Sequence, residues 1–324
     1  MNYDKIVQGI LDIGEAMLQS GAENFRLEDS FYRMCRSYGF KRSDVFVIPS
    51  NIQVTVETPE GEIITQIRHI ESSEPNFDQL DYLNNLCRYV CQHTPDENEM
   101  REKYLEVINR EPQKRITRYA AGIMGGTGFA VFFGCNLRDA VIAFIVSVMI
   151  VAVGDWLAKR ESNLLVYNGI LAFISEVIII GALKMGIAEH PDRIMIGIVM
   201  LLISGLSTTN GIRDLLQRDF ISGFINIMNS FLGAAGIAFG IGLAIILFHE
   251  GYSDHFILNH SVPIQLLSCT VACTGFALWF KIRGKQVWYN SIGAFFTWAI
   301  YVAVYAVKPS NFLATMIAAG FVGF

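Results

Sequence analysis

Cysteine is sparse in this chain and forms no disulfide framework. The six are Cys35, Cys87, Cys91, Cys135, Cys269 and Cys273. Two pairs, Cys87/Cys91 and Cys269/Cys273, lie four residues apart and can share a helix face. Two thiols alone are a poor metal site, so buried cysteine is read here as a small hydrophobe. Also lacking is any apolar run before residue 116 long enough to direct secretion. The N-terminal part is therefore expected to stay in the cytoplasm, with reduced thiols. An enzyme needs a nucleophile beside a base. Ser20, Ser43, Ser50 and His69 are present, but their spacing selects no pair. His249, Glu250, Asp254, His255 and His260 crowd one stretch without a recognised metal spacing. No catalytic residue, cofactor or metal is expected. With a net charge of −5, neither is a nucleic-acid partner.

Charge is scarce and unevenly placed. Of 324 residues, 52% are hydrophobic and 17% charged. Residues 1–110 hold 11 Lys+Arg and 19 Asp+Glu, a net of −8. Residues 111–324 hold 14 and 11, a net of +3. An acidic soluble part thus precedes a membrane part. A spanning helix needs about 20 apolar residues. The expected spans are 117–135, 139–157, 164–183, 194–210, 220–248, 262–280, 286–306 and 311–324. With the N-terminus inside, ten Lys/Arg fall in inner segments and four in outer ones, which favours that orientation.

One segment recurs. Thr127-Gly128-Phe129-Ala130-Val131-Phe132-Phe133 is answered 147 positions later by Thr274-Gly275-Phe276-Ala277-Leu278-Trp279-Phe280. Ser162-Asn163-Leu164 matches Ser310-Asn311-Phe312 at an offset of 148. The expected topology points the two copies in opposite directions, an arrangement typical of secondary transporters. The expected fold class is an α-helical polytopic membrane protein with inverted repeats, plus a small N-terminal α+β cytoplasmic domain. The expected division is residues 1–110 (cytoplasmic), 111–251 (first five-span repeat) and 252–324 (partial second repeat).

In the N-terminal part, Ile6, Ile10, Ile13 and Met17 recur at helical spacing, predicting a helix over 3–20 that Gly21 stops. A second helix is expected from Asn24 to Tyr38, and a strand around Val45, Val47 and Ile48. Ile52–Val56 and Ile63–Ile67, separated by Pro59-Glu60-Gly61, predict a hairpin. Helices are expected over 77–93 and 97–110. The corner between the first two helices places Gly21, Glu23, Arg26 and Glu28 together. It is read either as a helix–turn–helix corner with local ion pairs or as a gating contact below the membrane.

Polar residues inside the spans are the other candidates. Glu176 falls near mid-membrane, where a carboxylate is costly and functional by default. It is expected to serve proton coupling or substrate binding, the alternative being a neutral or hydrogen-bonded structural carboxyl. Asn168, eight residues earlier, can share its helix face, and Ser175 borders it. Ser204, Gly205, Ser207, Thr208, Thr209 and Asn210 interrupt the fourth span. A broken helix there exposes backbone amides that attract carboxylates, so these six residues and Asn168 are the expected substrate-binding set. Asn226, Asn229, Ser230 and Gly233 line one face of the fifth span, and Gly236, Gly240, Gly122 and Gly126 predict close helix packing.

These residues resemble the threonine/serine exporter family of bacterial and fungal membrane proteins. The resemblance lies in Leu18-Gln19-Ser20-Gly21-Ala22-Glu23 with Arg26 and Glu28, and in Val45-Phe46-Val47. It continues in Asn210-Gly211-Ile212-Arg213-Asp214 with Asp219 and Gly223. Residues 1–251 look like the family's larger unit, and 262–324 like the start of its smaller one. That smaller unit is a separate subunit in two-component relatives linked to dicarboxylate export. Ser204-Gly205 stands where the family often has Pro-Gly. The resemblance implies proton-driven export of threonine, serine or small dicarboxylates across the inner (plasma) membrane. The expected partners are the small-molecule substrate, membrane lipid, and a second copy or second membrane subunit that completes the last repeat. The alternatives are a partner-dependent sensor or assembly subunit without flux of its own, or a membrane-anchored enzyme.

Overall fold

A computed structural model describes residues 2–71, 73–161, 163–248 and 261–323. The chain divides into two compact units. The first is Met1–Pro112 with Gly205–Asn229, and the second is Gln113–Ser204 with Ser230–Phe324.

The first unit opens with α1 (Tyr3–Gln19) and α2 (Asn24–Ser37). The apolar positions of α1 recur every three or four residues, so Ile6, Ile10, Ile13 and Met17 all point inward and are buried. Leu27, Phe31, Met34 and Cys35 of α2 meet them in one core. Each fully buried Ile, Leu or Phe contributes about 1.5–3 kcal/mol. Gly21 ends the first helix at φ +89°, a conformation that strains any residue with a Cβ. Three antiparallel strands follow in the order β1 (Arg42–Ile48), β2 (Asn51–Glu57) and β3 (Ile63–His69). Val45 pairs with Val54, and Val56 with Ile64. Ile52, Val54 and Val56 alternate into the core, as a half-buried sheet requires. Helices α3 (Phe77–His93) and α4 (Glu97–Ile108) are capped by the Asn76 and Asp96 side chains.

The second unit contains α5 (Arg115–Phe132), α6 (Leu137–Leu157), α7 (Leu164–Lys184) and α8 (Pro191–Leu202). After α9 (Gly205–Leu216) come α10 (Phe220–Phe248), α11 (Val262–Trp279), α12 (Lys285–Val307) and α13 (Asn311–Gly323). Five of these, α6, α7, α10, α11 and α12, are long and apolar enough to cross a membrane. Six spans result if α8 and α9 together form one broken span.

Two of the eight expected spans differ. Helix α13 has only 13 described residues. Helix α5 has 18, but Arg115, Arg118 and four glycines keep its hydropathy low. The reason is packing. Helix α5 is flanked by α6, α8 and α11, so close approach matters more there than a greasy surface. A Cβ on Gly197 would stand 2.5 Å from the Ala130 backbone. One on Gly275 would stand 2.5 Å from the Gly125 amide, and one on Gly128 2.9 Å from the Ala272 backbone. Gly122 lies against Trp279. As residue numbers rise along α5 they fall along α11, so the two helices run antiparallel. The Phe129 and Phe276 rings cross edge-to-face with centroids 5.3 Å apart. Glycines also bring α7 and α10 together: a Cβ on Gly240 would fall 2.2 Å from the Gly169 carbonyl, and one on Gly236 2.3 Å from that of Leu165.

Candidate functional site

Within the second unit, polar groups gather where α8 ends. The helix stops at Leu202, and Ile203 turns into extended backbone. Its freed carbonyls need donors. Asn168 of α7 supplies one: its Nδ2 lies 3.5 Å from the Leu202 oxygen and 3.3 Å from that of Gly233. Ser230 of α10 donates to the Ser204 carbonyl at 2.8 Å. Two turns along α7 from Asn168, Glu176 is completely buried, and so is Ser175, which donates to the Leu171 carbonyl.

The break is narrower than expected. Gly205 already starts α9, so Ser207, Thr208, Thr209 and Asn210 are helical rather than unwound. Thr209 Oγ1 donates back to the Gly205 carbonyl. What remains of the expected device is the α9 N-terminus, where the first turn's N–H groups lack helical acceptors and favour an anion.

Within the first unit, the corner residues meet α9 and the start of α10. The Glu23 carboxylate is 3.1 Å from Arg26 Nε and also pairs with Arg213. Asp214 Oδ2 accepts from Asn226 Nδ2 at 2.9 Å and Asn24 Nδ2 at 3.4 Å. Glu28 accepts the Val47 N–H, and Ser222 Oγ donates to the Val47 carbonyl. Burial is the main reason the Glu28 carboxyl sits above its usual range. The Val47 N–H pulls it down, and the nearby Asp219 charge pushes it up again. Glu28, Asp214 and Asp219 also line a cleft of about 180 Å³, whose charge suits a cationic group.

The α9–α10 turn fits this packing. Arg218 takes φ +69°, and the Asp219 N–H bonds the Asp214 carbonyl in a helix-stop geometry. Gly211 and Gly223 let the two helices touch backbone to backbone. Of the four expected corner residues, Glu23 and Arg26 pair with each other, Glu28 holds the Val47 N–H, and Gly21 lies beside Pro75. Asn24, Asn226, Ser222 and Val47 complete the network without having been expected there. Only the tertiary pairing of α2 and β1 with α9 and α10 reveals them. Among the described residues, no group of three or more His, Cys, Asp or Glu could hold a metal. The stretch from His249 to His260 lies outside the described residues, as does Ser162 of the longer repeat match.

Several apolar spans and a broken helix define a multi-pass α-helical membrane protein. The chain belongs to the threonine/serine exporter family ThrE, which it matches over residues 8–248. A second family description, "Threonine/Serine exporter, ThrE", matches residues 265–324. The chain is similar to a threonine/serine exporter of Corynebacterium glutamicum, with 24% identity over 245 residues. That match covers 72% of this chain and 50% of the relative, so the chain spans about half the length of the curated relative it matches. No solved structure matches it.

Proposed function

We propose that this chain exports small amino acids of the threonine/serine type from the cytoplasm, driven by the proton gradient. In this reading it lies in the inner membrane with residues 1–110 on the cytoplasmic side. Glu176 takes up and releases the proton. The substrate carboxylate is held at the α9 N-terminus by Ser204 to Asn210, with Asn168 keeping the end of α8 in place. The corner of Gly21, Glu23, Arg26 and Glu28 acts as a cytoplasmic gate, because its ion pair to Arg213 ties it to α9. The observation that carries this reading is the complete burial of Glu176 in an apolar span of an exporter-family chain.

An inverted repeat supports the transporter mechanism. The 147-residue offset carries Gly125 to position 272 and Gly128 to 275. It therefore turns the Gly125–Gly275 contact into the Ala272–Gly128 contact, and maps the Phe129–Phe276 ring pair onto itself. A local two-fold axis between antiparallel α5 and α11 has that property.

The test is efflux of labelled threonine, serine and succinate from vesicles containing the purified chain, with and without a proton gradient. Gradient-dependent efflux of threonine or serine is expected, and Glu176→Gln should remove the gradient dependence. Efflux of succinate alone would replace the amino-acid substrate with a dicarboxylate. Normal gradient-driven export by Glu176→Gln would remove the coupling role. Absence of flux from folded protein would overturn the reading in favour of a partner-dependent subunit.

A further inference from the structure

The first unit contains a cavity of about 450 Å³ between α2 and α3 that the transport reading does not use. Its volume falls in the range of small-molecule sites. Its chemistry runs against its surroundings. Residues 1–110 carry a net charge of −8, yet Arg26, Arg33 and Arg88 all line this one concavity. Asp29 is the sole acid among the lining residues.

The spacing explains how the cations converge. Arg26 and Arg33 are seven apart on α2, two turns along one face. Asn84, Arg88 and Gln92 are each four apart on α3, so a guanidinium is flanked by two carboxamides on a single stripe. Asp29 satisfies Arg33 at 2.8 Å, and Glu23 satisfies Arg26 at 3.1 Å. Arg88 makes no ion pair among the described residues. The cavity thus keeps net positive charge, with amide donors on either side of its unpaired arginine. Guanidinium groups bind carboxylate and phosphate oxygens bidentately, which a single ammonium cannot do.

The two thiols at the wall, Cys87 and Cys91, do not offer an alternative chemistry. Burial pushes the Cys87 thiol up to about 12 and raises Cys91 as well, so both stay protonated and make poor nucleophiles or metal ligands.

We propose that this cavity binds a small polyanionic metabolite, a di- or tricarboxylate or a phosphorylated compound, held by Arg26, Arg33 and Arg88. The site reaches α9 through one shared side chain. Arg26 lines the cavity and also pairs with Glu23, which in turn pairs with Arg213 of α9. An anion drawn to Arg26 competes with Glu23 for it. Occupancy therefore bears on the contact between the corner and α9, giving the bound metabolite a route to regulate the protein. The inference is independent of which substrate crosses the membrane.

The test is calorimetric titration of the purified full chain in detergent, with citrate and with pyrophosphate as probes at constant ionic strength. Saturable binding of at least one probe is expected. It should weaken roughly tenfold or more in Arg88→Gln and in Arg33→Gln, the loss of one charge-assisted contact. Arg101→Gln, an exposed position outside the cavity, should leave it unchanged. Arg88 is exposed, so its replacement leaves the core intact. Tryptophan emission of each variant checks the fold of the second unit, and far-ultraviolet dichroism that of the whole chain. Preference for citrate marks a carboxylate ligand, and preference for pyrophosphate a phosphorylated one. Binding of neither probe at millimolar concentration would overturn the proposal. So would binding equally strong in wild type, Arg88→Gln and Arg33→Gln.

Discussion

The two units solve the packing problem in opposite ways. The first fills its interior with large side chains: Ile6, Ile10, Leu11, Phe31 and Leu83 are wholly buried. The second brings helix backbones together through glycine: Gly197 on Ala130, Gly275 on Gly125, Gly240 on Gly169. Water drives the first solution, because removing apolar area from water is where its stability comes from. Lipid offers no such gain, since its tails are as apolar as leucine. Helices there associate by close van der Waals fit instead. The difference teaches that one word, glycine, has two meanings in this chain. In the first unit it opens turns at Gly21, Gly39 and Gly61, besides the close contact at Gly211 and Gly223. In the second it removes side chains from helix crossings.

That contrast can be attacked directly. The largest effect is expected from Phe31→Ala, which empties a completely buried site against Gly14. It should cost about 3–5 kcal/mol. Hydrogen exchange should quicken across the first unit. The tryptophans Trp156, Trp279, Trp288 and Trp298 all lie in the second unit, and their emission should stay unchanged.

A smaller and more discriminating effect is expected from glycine replacement. Gly197→Ala meets backbone atoms of Ala130 that cannot yield and should cost about 1–3 kcal/mol. Gly9→Ala in the first unit meets only the Met100 side chain, a flexible thioether that can swing aside. Its thermal shift should be clearly the lesser of the two. Equal shifts would break the distinction between backbone-limited and side-chain-limited packing.

The smallest effect concerns pH. The Glu28 carboxyl is raised above its ordinary 4.5, chiefly by burial. The folded state then holds its proton more tightly than the unfolded state. Stability of the first unit should therefore fall as pH rises from 4.5 through the folded value. Glu28→Gln keeps an acceptor for the Val47 N–H and should flatten that decline. An identical pH profile in wild type and variant would show that Glu28 contributes nothing to it.

Much of this was legible in the residues. The period of Ile6, Ile10, Ile13 and Met17 placed α1 within a residue of its end. Alternation and the Pro59-Glu60-Gly61 turn placed the hairpin. Helix α10 spans residues 220–248, the limits that its unbroken apolar run suggested. Its 29 residues extend about 44 Å at roughly 1.5 Å each, against about 30 Å for a hydrocarbon core. That length leaves room for its first turns to pack with the first unit. The corner residues were legible because Gly21 and the charges after it lie within eight positions of sequence.

Other features were beyond the sequence's reach. Serine, threonine and glycine around Ser204 are weak helix formers and suggested a long unwound segment, but propensity is a weak preference that tertiary context overrides, and α9 resumes at Gly205. The apolar residues after Arg118 made α5 look like an ordinary span, whereas its glycines lower its hydropathy and answer to three neighbouring helices. The sequence by itself determined what is local: helix and strand periods, the apolar spans, the buried carboxylate of Glu176 and the recurring segment. Tertiary structure alone decided that α9 and the first turns of α10 belong with the N-terminal residues, and that Asn24 and Asn226 share one carboxylate 190 and 12 positions away. The physical reason is that periodicity reports which face of an element is apolar. The partner that covers that face is set by contacts between distant residues, which no local pattern encodes.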